Sequence, residues 1–397
     1  MRRVPVLALL LANFAIAQEA GAQTATDLAG KIAPVVIEAP TTPPAEGGLH
    51  FYSDKPTAPV LPPATMFPIL PFGAPPDAPP QHLPVASNHD LGGDHAGITR
   101  AVVAIHDVSR DINETLGLLT ALAGSRNTST IILAPQFLLQ SDIAGLAKQL
   151  PDQGQDLARW PLDGWIYGGD TVALAPQRGV SSFTAIDLLL LYLGDKETFP
   201  DLREIVIAGN GAGGDFTLRY AAAGQAPDLL DKDRLSVRYL VANAASYIYL
   251  TQVRPVSGKP GFTMPDASKC AGYDSYPYGI NNLNDYVKRV GGNAIRARFA
   301  SRYVTYLVGE KIASDDHFPD TSCGALYEGP DRLMRALNFD YYLRSNFGED
   351  AAKTQHFLTV PTANYEAGTL FSSRCGMAVL FGNGTCDTGS ANGAETR

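Results

Sequence analysis

One stretch constrains the fold of this chain more than any other. Ile205-Val-Ile-Ala-Gly-Asn-Gly-Ala-Gly-Gly214 is an apolar, β-branched run feeding a glycine-rich turn, and the helix-forming Asp215-Phe-Thr-Leu-Arg-Tyr-Ala-Ala-Ala223 follows it. A strand that turns at once into a helix needs backbone space and unusual dihedrals, both of which glycine supplies. Short β-branched runs recur on either side, at Ala101–His106, Thr130–Pro135, Glu204–Ala208, Val237–Ala242, Tyr303–Val308 and His356–Val360. Helical patterns separate them, at Asp111–Ala123, Ser182–Leu193, Gly214–Ala223, Asp331–Phe347 and Thr369–Phe381. This alternation predicts an α/β fold with a mostly parallel central sheet flanked by helices. The glycines read G-x-G-x-G-G rather than G-x-G-x-x-G and fall late in the chain, which argues against a dinucleotide loop.

The ends of the 397-residue chain read differently. Arg2 and Arg3, the apolar run Val6–Ile16 and Ala20-Gly21-Ala22 predict a secretory signal peptide over 1–22. The expected product is periplasmic or secreted, with no membrane anchor after cleavage. Fifteen of the 29 prolines lie between Pro34 and Pro84, which predicts an extended or disordered arm over 23–97. The folded domain is expected over 98–386, with a Tyr-, Gly-, Asn- and Pro-rich, lid-like insertion at about 246–292 and a disordered tail at 387–397. Tyrosines 273, 276, 278 and 286 either line a cleft there or pack the insertion down. A formal charge of −9 argues against nucleic acid as a partner.

Cys270, Cys323, Cys375 and Cys386 are an even set in a chain read as exported, so two disulfides are expected. Of the three connectivities, Cys270–Cys323 with Cys375–Cys386 is favoured, the second closing a short loop. Asn88–His95 and Asp315-Asp316-His317 hold metal-ligand residue types without a diagnostic spacing, so neither metal nor cofactor is expected.

In an open parallel sheet, ligands gather at the carboxyl ends of the strands. Ile105-His-Asp-Val-Ser-Arg110 follows one such strand. With Ser181–Asp187, Gly209–Gly214, Tyr276-Pro-Tyr-Gly279, Asp320-Thr-Ser-Cys323, Gly329-Pro330, Cys375-Gly376 and Leu380-Phe-Gly382, it makes Ala101–Phe381 resemble a secreted bacterial and fungal group of α/β-hydrolases. The resemblance implies a nucleophile elbow, G-x-S-x-G, at Gly209–Gly213. The group's serine falls at Gly211, and its histidine before the serine at Asn210. The acid is implied near Ile312 or Ser314; the acids present are Glu310, Asp315 and Asp316, with Asp315 the candidate for a displaced one. The histidine base falls at Tyr365, whose phenol is a poor base at neutral pH. His356 precedes its strand and belongs at the far end. An oxyanion-hole-like pocket is implied around His106, Asp107, Asn210 and Ala212.

Two functions fit these residues. The favoured one is a non-catalytic pseudo-hydrolase that retains a pocket for a small-molecule or polymeric ligand, since three coupled roles are altered together. The alternative is an ester hydrolase with a non-standard arrangement around His106, Asp107, Asp315 or Tyr365.

Overall fold

The computed structural model describes residues 64–74, 78–146, 156–172, 178–257, 259–312, 316, 318–384 and 386. Its central sheet holds β1 (Thr65–Ile69), β2 (Gln81–Ser87), β3 (Arg100–Ile105), β4 (Thr130–Pro135), β5 (Glu204–Asn210), β6 (Ser236–Ala242), β7 (Tyr303–Gly309) and β8 (Gln355–Val360). Their order is β1-β2-β4-β3-β5-β6-β7-β8. β2 runs antiparallel to β1 and β4, and the other neighbours are parallel. Alternate residues of the central strands enter opposite apolar layers: Val103, Ile205 and Ile207 one, Val102, Val206 and Ala208 the other. The covering helices include α1 (Ile112–Ala123), α2 (Ser182–Gly194), α3 (Ala212–Ala223), α4 (Arg332–Thr354) and α5 (Arg374–Phe381).

Two expectations need correction. The single helix expected over Thr369–Phe381 is two, Ala367–Phe371 and α5, because Ser373 Oγ accepts the Gly376 N–H at 3.1 Å and starts a new helix. The arm expected over 23–97 lies outside the described residues up to 63, but from Thr65 onward it enters the sheet as β1 and β2. Ile69, Leu83 and Val85 are fully buried. Proline is tolerated here because of where it falls in the ladder. His82 directs its N–H and carbonyl away from β1, to Asp156 and Ala158, so Pro68 opposite it needs no N–H toward β2. Pro84 likewise directs its carbonyl away from β1, to the Gln136 N–H. The predicted signal peptide and tail also lie outside the described residues. Among those residues, no helix is long and apolar enough to cross a membrane.

The insertion packs down on the domain. Tyr247 to Leu250 join the main core, and Tyr273, Tyr278 and Tyr286 are buried. Tyr276 Oη and Asn284 Nδ2 both donate to the Tyr167 carbonyl, at 2.8 and 2.7 Å. The structure pairs Cys270 with Cys323, fastening the insertion, and Cys375 with Cys386.

Beneath the insertion a buried charge network anchors α3. Arg219 reaches Asp215 Oδ1 at 2.7 Å, the Ser246 carbonyl at 2.9 Å and Ser246 Oγ at 2.8 Å. Glu328 accepts the Tyr247 N–H at 2.7 Å, and burial pushes its carboxyl from 4.5 up to about 8 against the pull of Arg335, Arg254 and Arg219. Asp187, buried in α2, is pushed up to about 6 by desolvation, opposed first by the Tyr286 hydroxyl. Both groups hold protons in the folded chain that the unfolded chain has released, so their contribution to stability falls as pH rises. The thermal midpoint is expected to drop between pH 5 and pH 8.5, and Glu328→Gln to flatten the upper part of that decline; calorimetry across the range checks both.

Leu83→Ala is expected to cost about 2–5 kcal/mol in denaturant unfolding, the cost of emptying a core site. A change below about 0.5 kcal/mol, usual for a surface residue, would return β2 to an arm outside the core.

Candidate functional site

At the carboxyl edge of the sheet β5 ends at Asn210, α3 begins at Ala212, and Gly211 joins them at φ 58°, ψ −119°. The surrounding glycines let three chain segments touch. A Cβ on Gly213 would collide with the Ile105 carbonyl, and one on Gly214 with the Ala242 carbonyl. A Cβ on Gly211 would collide with the Tyr365 hydroxyl and stand 2.6 and 2.8 Å from the carboxylate oxygens of Asp107.

Asp107 follows β3, and its Oδ1 accepts two backbone N–H groups, from Ala212 at 2.9 Å and from Val108 at 2.8 Å. Burial raises its pKa, while those two amides, the Tyr365 hydroxyl and the Arg332 charge act to lower it. Its neighbour His106 is committed elsewhere. The Phe137 N–H donates to His106 Nε2 at 3.0 Å, so the ring proton sits on Nδ1 and is donated to the Asp107 carbonyl at 2.8 Å. Chiefly by desolvation, His106 is lowered to about 3, and its ring packs 4.6 Å from that of Trp165. It is a neutral structural imidazole.

The loop after β8 completes the site. The Asn210 amide donates to the Tyr365 carbonyl at 2.9 Å, and Asn243, after β6 at φ 45°, donates to the Asn364 carbonyl at 2.9 Å. The Tyr365 hydroxyl is buried and faces the Asp107 carboxylate across the space above Gly211. Burial first, then the Asp107 charge, raises its pKa well above the ordinary value, so the phenol stays protonated. Arg332, at the start of α4, stands 5.1 Å over the Tyr365 ring. Its guanidinium donates to Asp316 Oδ2 at 2.8 Å, the Asn243 carbonyl at 2.7 Å and the Phe318 carbonyl at 2.6 Å.

The residues expected at this edge therefore divide. Gly211, Asp107, Ala212, Asn210 and Tyr365 converge, and His106 lies behind them. Ile312 is fully buried in the main core, and Asp315 lies outside the described residues. Asp316 pairs with Arg332. His356 pairs with Thr305 near the opposite ends of β8 and β7. The sequence reading missed Arg332 and Asn243. The helix-start signal Gly329-Pro330-Asp331 marked the element that carries Arg332, and Asn243 directly follows a predicted strand. It also missed Arg110, which holds the β3 loop by a two-pronged bond to Asp142 at 2.8 and 3.0 Å.

A sharp strand–turn–helix at β5, backed by N–H groups from the residue after the turn and from the loop after β3, is the elbow and oxyanion-hole arrangement of one fold family. The chain has an α/β-hydrolase fold. No family model matches it, and no curated protein matches it by sequence. Solved structures similar to it include LpqC, a poly(3-hydroxybutyrate) depolymerase from Bordetella parapertussis, at 17% identity and TM-score 0.48 over 77% of this chain and 87% of that one. Another is poly(aspartic acid) hydrolase-1 from Sphingomonas sp. KT-1, at 18% identity and TM-score 0.48 over 75% of this chain and 94% of that one. The siderophore hydrolase EstA from Aspergillus nidulans is similar at 13% identity and TM-score 0.37 over 78% of this chain and 91% of that one.

Among the described residues, no group of three or more His, Cys, Asp or Glu side chains is placed to hold a metal ion. A polar cleft of about 320 Å³ opens between Phe72, Asp170, Arg178, Asp285 and Arg289; none of the elbow residues lines it.

Gly211→Ala is expected to destabilise the fold by about 1–3 kcal/mol through overpacking and backbone strain. Tyr365→Phe, which removes the colliding hydroxyl, is expected to recover part of that loss in a double-mutant cycle read by denaturant unfolding. Strict additivity of the two changes would mean that the side chains do not share this space.

Proposed function

We propose that this chain is an exported, non-catalytic member of the α/β-hydrolase fold. One observation carries the reading: residue 211 has no side chain, and the space a nucleophile would fill holds the Asp107 carboxylate and the Tyr365 hydroxyl. The surrounding chemistry supports it. Acylation needs a nucleophile with a base in reach. His106 has both ring nitrogens engaged, and Tyr365 keeps its proton. The signal-like residues 1–22 and the two disulfides support export. With the elbow filled, a small-molecule or polymeric ligand in this reading binds without reacting, and the cleft between Asp170 and Arg289 is the place it would use.

The purified protein is expected neither to be labelled by a fluorophosphonate probe nor to turn over a panel of short-chain esters above the blank. Loss of a serine nucleophile typically costs on the order of 10⁶ in turnover. Gly211→Ser is expected to stay inert, because no base would activate its hydroxyl. Ester turnover at ordinary enzyme rates by the unaltered chain, abolished by Asp107→Asn, would replace this reading with a hydrolase of non-standard design.

A further inference from the structure

A surface helix ordinarily turns its charged face to water. The first turns of α4 do the reverse. Between Asp331 and Arg344 the exposed positions are Met334, Leu337 and Tyr341, spaced i, i+3 and i+7, at 40, 43 and 45% exposure. Phe262 of the insertion stacks on the Tyr341 ring at 5.0 Å between centroids, and Met264 stands exposed two residues on. Leu326 is exposed just before α4, in a turn tied to the helix where Asn338 Nδ2 donates to the Glu328 carbonyl at 2.7 Å. Five of the seven large apolar side chains exposed among the described residues therefore belong to α4 or to segments beside it. A clustered apolar patch marks a binding surface, and methionine and aromatic side chains are favoured at interface cores.

The charges around the stripe select its occupant. Asp331 brackets it at one end and Arg344 at the other, equally far from the midpoint between Leu337 and Asn338. Asp331 uses Oδ1 to cap the helix, accepting the Met334 N–H at 2.8 Å, which leaves Oδ2. Arg344 gives its Nε to Asp340 at 2.7 Å and keeps the terminal nitrogens of a half-exposed guanidinium. We propose that this face docks a second copy of the chain, the two α4 helices packing antiparallel about a two-fold axis beside Leu337. In that arrangement Met334 comes level with the other copy's Tyr341, twice, and the two Leu337 side chains meet near the axis. Each Arg344 comes level with the other copy's Asp331. A parallel pairing would instead set aspartate against aspartate and arginine against arginine. An unrelated partner would need no such symmetry of charge about the stripe's centre.

The test is sedimentation velocity of the full chain over a range of concentrations. The unaltered chain is expected to run at twice the mass of one chain and to fall to one chain on dilution. Leu337→Glu sets two carboxylates together at the axis and is expected to raise the Kd of the dimer about 100-fold. Met334→Lys serves as a second variant. Both are surface positions, so the thermal midpoint of each variant, read where the unaltered chain is a monomer, is expected to hold and shows that it folds. Arg344→Glu sets like charges level at both ends and is expected to weaken the dimer roughly tenfold at low salt and less at high salt. A chain that stays a monomer at every concentration overturns the proposal, whether the stripe is then bare or covered by residues 23–63 of its own chain. A dimer that neither folded apolar variant weakens overturns it as well, since another surface then holds it. So does a dimer that Arg344→Glu leaves unchanged at low salt, because the antiparallel pairing requires that contact.

Discussion

The close approach of three backbones at the elbow sets the architecture of this protein. Gly213 lies against the carbonyl of Ile105 and Gly214 against that of Ala242, so β3, β6 and α3 meet with no side chain between them. A methyl group at either position would force the helix off the sheet, since a packed interior relaxes only partially around added volume. From that contact follow the direction in which α3 leaves the sheet, the aim of the Ala212 N–H and its meeting with the loop after β3. The buried Arg219–Asp215 pair then ties α3 to Ser246, at the start of the insertion.

A buried carboxylate is costly unless its charge is met by hydrogen bonds and nearby positive charge. Asp107 meets that condition with two amides and with Arg332 close behind Tyr365. Arg332 in turn connects Asp316, Asn243 and Phe318. Asn243 reaches from the end of β6 to the end of β7 and the loop after β8, through the Gly309 N–H at 3.0 Å and the Asn364 carbonyl. Arg332 and Asn243 thus tie the ends of β6 and β7 and the loop after β8 into one hydrogen-bonded group, with Asp107 next to it across the Tyr365 ring.

Much of this was legible in the sequence. The six runs chosen for β-branched content fall on β3 to β8 within two residues at every boundary, because a buried parallel strand has few alternatives to a continuous apolar run. The elbow was legible because glycine at that spacing has a steric reason. The β1–β2 hairpin was not, because proline density counts residues and does not tell which side of a ladder each one faces. Asp107 was visible as a pocket residue, but nothing local in the sequence shows that its oxygen reaches the Ala212 N–H 105 positions away. Arg332 was hidden for the same reason, its partners being scattered from Asn243 to Tyr365.

The hairpin's proline has a further consequence. Among the described residues β1 ends the order of the central sheet, and an end strand presents unpaired amides to which another chain can add a strand of its own. Pro68, the fourth of the five residues of β1, stands opposite His82, with its nitrogen toward the open side. The row of donors on that edge is therefore broken at Pro68, and an incoming strand finds no continuous ladder to extend. The residue type that disguised this strand in the sequence also interrupts the outer row of donors by which another strand would add to it.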